Sequence, residues 1–411
     1  MLLIAVVAHG VCLGAEPKAA QASNSKTKTE QPSTRDKKPE PHLPRTKKVP
    51  PVPLPLLPVE QQWIVTLDAL PSAGGAMDAE RVYIPIQPEQ LQALSRATGA
   101  KIWRRDLETM WAPLLLNGVL YVAASDEIHA LDAETGAQKW RTPFEHPMIA
   151  PLAATGDLLI GVFEKGAVIA LAAADGRMVW TRELGAPSHY AAVSDGMRIF
   201  FALDDSRVVA LNLPDGAPVW EQKLEGMLNQ PSVARDRVFV GSNNNYLYAL
   251  DAEHGRLAWK WRTGGDVIGV SADTKGGASY ASLDNVLRAV NRGNGNQRWI
   301  KEIPTRPILP PQTLGDGMTY EEVVLVTGVS EIDAFSAKTG AAAGMYVPPS
   351  DIQGAPLIDP ALKPYSVAMV VILRDGRALG LRPSAMMLPE PPNSPFTELP
   401  GRHLDRDRVV R

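Results

Sequence analysis

An all-β chain, folded as an eight-bladed β-propeller of four-stranded antiparallel blades, is what this 411-residue sequence predicts. Three observations predict it. One glycine-turn motif returns about every forty residues, strand-forming runs precede each copy, and a lone tryptophan strand near the N-terminal end has no motif in front of it. A period in this range marks stacked supersecondary units, each too small to bury its own apolar face.

The copies read "LQALSRATGAKIW", "IHALDAETGAQKW", "VIALAAADGRMVW", "VVALNLPDGAPVW", "LYALDAEHGRLAW", "LRAVNRGNGNQRW" and "IDAFSAKTGAAAG". Their glycines are Gly99, Gly136, Gly176, Gly216, Gly255, Gly295 and Gly340. In the first six a tryptophan follows four residues later: Trp103, Trp140, Trp180, Trp220, Trp259 and Trp299. Each turn opens on Ser95, Asp132, Asn212, Asp251, Asn291 or Ser336, whose side chains accept backbone N–H bonds, with Ala172 as the exception. The glycine takes positive φ without a Cβ clash. Ala93, Ala130, Ala170, Ala210, Ala249, Ala289 and Ala334 share one register, continued by Gly380, as expected where packing leaves no room for a larger side chain.

Ahead of each motif lies a run such as "GVLYVA", "RIFFAL" or "RVFVG", bounded by turn pairs like Asn117-Gly118 and Asp195-Gly196, so each unit supplies hairpins and four strands in all. Seven copies make seven blades. "IQGAPLID...VAMVVILRDGRALGLRPS" supplies three more strands and stops without a tryptophan strand. "QQWIVTLDA", with Trp63 forty positions before Trp103, is the missing fourth, and its pairing with the C-terminal three closes the ring and leaves no bare sheet edge.

The expected organisation is a propeller over 61–382 between unlike flanks. "MLLIAVVAHGVCLGAEP" begins with an apolar run too short to span a bilayer, so 1–15 reads as a secretory signal or an N-terminal anchor. Residues 16–60, rich in Pro, Lys, Thr and Ser and ending "VPPVPLPLLPVE", read as a disordered linker that reaches on the order of 100 Å in polyproline II form. The proline-rich, charge-alternating stretch 383–411 reads as a disordered tail.

The motif A-x-D-x-x-T-G-x-x-x-W, fullest in "ALDAETGAQKW", resembles the PQQ-like β-propeller repeat shared by quinoprotein dehydrogenases and the outer-membrane assembly lipoprotein BamB. That resemblance runs from Trp63 to Arg382 and implies a girdle of alanines and tryptophans between blades. The sequence departs from it where Gly344 takes a tryptophan's position, at the insertions "DGMTYEE" and "PALKPYS", and in the short link "ELGAPSHYAAV" between blades three and four, where BamB carries an extended partner-binding loop.

A net charge of -3 gives no field for nucleic acid. The one cysteine, Cys12, lies in the N-terminal apolar segment, in poor context for lipidation. The vicinal cysteine pair that quinoprotein dehydrogenases carry beside their quinone cannot form. Asp204, Asp205, Asp266, Asp284 and Asp351 read as turn residues, and Asn243 to Asn245 fall where a hairpin turn is due. His146 and His189 follow tryptophan strands and read as solvated, while His129 lies inside a motif strand. No catalytic, cofactor-binding or metal-binding residue is assigned. The expected function is a non-catalytic, exported scaffold that binds protein partners in the periplasm or cell envelope, touching membrane only through an N-terminal anchor, with BamB-like outer-membrane protein assembly as its specific form. The alternatives are a quinone-dependent oxidoreductase using PQQ and calcium, and an envelope sensor that takes a ligand in its central channel.

Overall fold

In a computed structural model, residues 56–273, 277–315, 321–359 and 366–384 are described. The expected signal or anchor, the linker as far as residue 55, most of both insertions and the tail beyond Ser384 lie outside them.

Among the described residues thirty-two strands form eight four-stranded antiparallel sheets. Blade one is β2–β5 (Ala76–Met77, Arg81–Ile86, Gln90–Ser95, Lys101–Asp106), and blade two is β6–β9 (Leu114–Leu116, Val119–Ala123, Glu127–Asp132, Gln138–Pro143). Blade three is β10–β13 (Ala153–Thr155, Leu158–Val162, Ala167–Ala172, Met178–Glu183), and blade four is β14–β17 (Val193–Ser194, Arg198–Ala202, Arg207–Asn212, Pro218–Lys223). Blade five is β18–β21 (Ser232–Ala234, Arg237–Gly241, Tyr246–Asp251, Leu257–Arg262), and blade six is β22–β25 (Val267–Ala272, Gly277–Ser282, Val286–Asn291, Gln297–Glu302). Blade seven is β26–β29 (Gln312–Leu314, Val323–Thr327, Ile332–Ser336, Ala342–Tyr346). Blade eight joins β30–β32 (Leu357–Ile358, Met369–Ile372, Arg377–Pro383) to β1 (Val59–Thr66) in the order β1-β32-β31-β30, so the first strand of the chain completes the last sheet. First strands of successive blades touch, as β2 does β6 and β30, which puts them innermost and the tryptophan strands outermost.

One side-chain arrangement recurs at the joints between blades. The indole of Trp63 lies against Gly99 of blade one, Trp103 against Gly136 of blade two, and Trp140 against Gly176 of blade three. Trp180, Trp220, Trp259 and Trp299 lie in the same way against Gly216, Gly255, Gly295 and Gly340. A Cβ built on any of these glycines would stand 2.4–2.7 Å from the nearest atom, or 2.9 Å at Gly136, which is closer than real Cβ contacts allow. The same glycines sit at φ between 66° and 73°, so steric room and backbone conformation both require glycine. Each indole N–H also donates to a carbonyl of the next blade: Trp63 to Arg96, Trp103 to Ala133, Trp140 to Ala173, Trp180 to Leu213, Trp220 to Ala252, Trp259 to Arg292 and Trp299 to Ala337, at 2.8–3.2 Å.

The alanine register has a reason within the blade as well. Tyr83, Ala93 and Trp103 stand opposite one another on three neighbouring strands, as do Phe200, Ala210 and Trp220. The small residue in the middle lets the two rings meet over it, with centroids 5.8 and 5.7 Å apart. In blade eight the middle residue is Gly380, because the indole of Trp63 occupies the place of a Cβ there. Immediately before every residue at the tryptophan position the outermost strand carries a bulge, in all eight blades. The extra residue turns outward, which explains exposed Ile102, Val179 and Val219.

The eighth joint differs. At Gly344 no indole is available, and a Cβ would stand 2.6 Å from Cβ of Leu57. Leu56 and Leu57, 1% and 2% exposed, fill the gap and pack in one cluster with Leu314, Leu325, Ile352 and Leu381. The expected linker boundary at Glu60 is therefore corrected at its C-terminal end: 56–60 belongs to the folded ring, because the missing tryptophan leaves an apolar cavity that these two leucines occupy. On the other side of the strand pair, Ser384 N donates to Pro58 O and Ser384 Oγ to Glu60, so β1 and β32 stay joined past the expected end at Arg382.

Two outcomes follow for chemical denaturation. Trp180→Ala, which removes a buried indole and its bond to Leu213, is expected to cost about 3–5 kcal/mol. Leu57→Ala is expected to cost about 2–5 kcal/mol although it lies outside every repeat copy, whereas a freely solvated linker residue there would leave the midpoint unchanged.

Candidate interaction surface

Loops cluster on two rims. The links from each fourth strand to the next blade and the turns between second and third strands share one rim, here the link rim, and backbone bonds stitch them together: Leu107 N to Glu89 O, Phe144 N to Asp126 O, Leu184 N to Gly166 O and Leu283 N to Asp266 O. The glycine-motif turns and the first-to-second-strand turns share the opposite, motif rim.

On the motif rim the turn residues act as the sequence predicts. Asp132 Oδ1 accepts the N–H groups of Glu134 and Thr135, and Asp251 Oδ1 those of Glu253 and His254. The Thr135 N–H, with its hydroxyl and Lys139, holds the Asp132 carboxyl below the usual carboxylate range. Charge on this rim is largely paired: Arg81 with Asp78, Arg198 with Asp195, Arg237 and Arg292 with Asp236, and Arg298 with Asp273. An open pocket of about 360 Å³ lies here; of its six charged lining residues, Asp195, Arg198, Asp236 and Asp251 take part in ion pairs with arginine or aspartate, and Arg235 and Glu253 complete the lining.

At the closing joint Arg96 of blade one is buried with Asp359 of blade eight, Nη2 to Oδ2 at 2.5 Å, and its Nε donates to Val367 O at 2.7 Å. This pair ties the two ends of the ring, as Trp63 does from the other side through Arg96 O. Sequence reasoning missed it, since Arg96, three residues after the register alanine, has an arginine counterpart in only one other copy, Arg292, and nothing local marks it as buried.

The link rim holds most of the Asp, Asn and His residues that the sequence marks as turn or solvated residues. His189 pairs with Asp204 at 2.9 Å, both exposed, and His146 is exposed on the previous link. His129 lies in β8 with Nε2 3.1 Å from Glu127. Asp205 holds Arg207, and Asp284 accepts Gly264 N and the Ser282 hydroxyl. Asn243 Oδ1 caps Met227 N, Asn244 Oδ1 accepts Tyr246 N and Asn245 takes φ 65°, so the asparagine run builds a turn. Among the described residues no group of three or more His, Cys, Asp or Glu stands where it could hold a metal ion. Innermost strands bond through small polar groups, Thr155 Oγ1 to Ser194 Oγ and Thr313 N to Ser271 Oγ.

Asp333, on β28, is a buried carboxyl whose Oδ2 finds no hydrogen-bond partner among the described residues. Burial, with Glu331 adding repulsion, pushes its pKa up to about 6.

Three overlapping stretches, 87–202, 164–309 and 204–361, match the family profile described as outer membrane protein assembly factor BamB. Together they cover well over half of the chain. The chain belongs to that family. Among solved structures, BamB from Moraxella catarrhalis is 18% identical, covering 79% of this chain and 99% of its own, at a TM-score of 0.62. Sqt1 from Saccharomyces cerevisiae is 11% identical, over 81% of this chain and 100% of its own, at 0.65. The quinohemoprotein alcohol dehydrogenase ADHIIG from Pseudomonas putida HK5 is 12% identical, over 84% and 80%, at 0.59. At these identities the likeness is one of fold. No curated protein matches the sequence. The quinone branch's vicinal cysteines have no counterpart, since the single cysteine is Cys12.

A folded-state pKa above the unfolded value means that Asp333 supports the fold fully below about pH 4 and loses that support as pH rises through about 6. Asp333→Asn is expected to be more stable than the parent at neutral pH by on the order of 2 kcal/mol and to lose the decline between about pH 4 and 7. Urea midpoints measured across that range check it, and parallel pH profiles for the two proteins would contradict it.

Proposed function

We propose that this protein is a non-catalytic, exported scaffold of the cell envelope that binds protein partners through its loop rims, in the manner of an outer-membrane protein assembly factor. The observation that carries the reading is the division of labour in the ring. The repeated tryptophans, glycines and turn aspartates are consumed in holding blades together, while exposed apolar side chains, Met110, Met227 and Val347 among them, stand on the link rim where no repeat requires them. Apolar side chains in loops cost solubility unless they meet a partner, and methionine is enriched where they do. Family membership supports the assembly role, and the apolar N-terminal run supports export. Residues 1–15 serve as signal or anchor, 16–55 as the spacer and 385–411 as a solvated tail. No helix of the described residues is long and apolar enough to cross a membrane.

Cross-linking in intact envelopes followed by affinity capture of the full chain tests this reading. Recovery of outer-membrane barrel-assembly components is expected. Recovery of none, together with dye-linked alcohol oxidation after addition of PQQ and calcium, would replace the scaffold with an oxidoreductase.

A further inference from the structure

The two rims treat their carboxylates differently, and the difference is sharpest along one arc. From blade seven through blade eight to blade two, the link rim consists of loops 328–331, 347–356, 373–376, 67–75, 87–89, 107–113 and 124–126. These carry seven Asp and Glu residues against one basic residue, Arg374. Glu89, Glu108, Asp126, Glu331 and Asp351 have no ion-pair partner among the described residues, whereas on the motif rim Asp78, Asp195, Asp236 and Asp273 each meet an arginine. Between them stand Leu70, Met110, Val329 and Val347, 39–60% exposed. The arc is held in place by backbone bonds from Ile352 to Val329, Arg374 to Asp351, Gln87 to Leu70 and Leu107 to Glu89, so little ordering is left for binding.

Unpaired carboxylates gathered on one rigid edge repel one another and turn away anionic lipid and nucleic acid. A cationic group relieves that repulsion, and the apolar side chains among them call for an apolar stripe on the same ligand. We propose that this arc docks a cationic amphipathic segment of a partner protein, the lysines or arginines of that segment meeting the five unpaired carboxylates while its apolar face covers Leu70, Met110, Val329 and Val347. The proposal rests on the scaffold reading and names the face and the chemistry of its partner. The chain's own residues 1–60 hold nine Lys and Arg against five Asp and Glu, while 61–384 hold 29 against 36, so the charge contrast also makes this chain a competitor that the test must separate.

Full-length protein carrying a photo-cross-linking residue at Met110, at Val347, or at Met197 on the motif rim, irradiated in intact envelopes, provides the test. Adducts from Met110 and Val347, mapped by mass spectrometry to a net-cationic segment of a separate protein, are expected. In the combined variant Glu108→Gln, Asp126→Asn, Glu331→Gln and Asp351→Asn, these adducts should fall about tenfold, as loss of several rim charges slows encounter. Adducts from Met197 alone would overturn the arc and leave the scaffold reading standing, and adducts from none of the three positions would overturn both. Adducts that map to this chain or to a second copy, or that survive the charge changes, would overturn the proposal.

Discussion

The ring depends on an indole laid on a glycine. A four-stranded sheet of this size cannot bury both faces by itself, so each blade needs its neighbour, and seven times the contact is made by a tryptophan of one blade covering the motif glycine of the next and donating its N–H to that blade's backbone. The bond matters as much as the area. A buried indole N–H left without an acceptor would cost part of what burial contributes, and the motif turn supplies that acceptor three residues before its glycine. Dispersion and hydrogen bonding thus set the spacing between sheets together, and a uniform spacing is what lets eight sheets close without a gap.

Much of this was legible in the sequence because it repeats. Trp63, standing one period before Trp103 without a motif of its own, was enough to place β1 in the last blade, and β1 pairs with β32 with Trp63 opposite Gly380. The bulge before each tryptophan was not legible, because it is a property of strand register and no residue type marks it. Nor was the eighth joint. Gly344 signals a missing ring, yet nothing local says that Leu57, nearly three hundred residues away, supplies the replacement. A proline-rich run reads as linker by composition, and long-range burial of its last leucines overrides that reading. The Arg96–Asp359 pair escaped for the same reason: both partners look like surface charges until the ring is closed.

The candidate surface was less legible than the fold. Turn chemistry accounts for Asp284, Asp205 and the asparagine run, as the residue types suggested. What distinguishes the arc of the link rim from blade seven to blade two is five carboxylates, Glu89, Glu108, Asp126, Glu331 and Asp351, without an ion-pair partner among the described residues, and that emerges only when loops from different blades are brought side by side. The fold shared with an alcohol dehydrogenase shows why architecture alone does not choose a function.

The most direct measurement is hydrogen exchange at the nine indole N–H groups, followed by NMR with assignment by single Trp→Phe replacement. If the joints hold the ring, the protons of Trp63, Trp103, Trp140, Trp180, Trp220, Trp259 and Trp299 should exchange slowly and with a common free energy, while those of Trp111 and Trp261 exchange fast. Rapid or unrelated exchange at those seven positions would contradict the account.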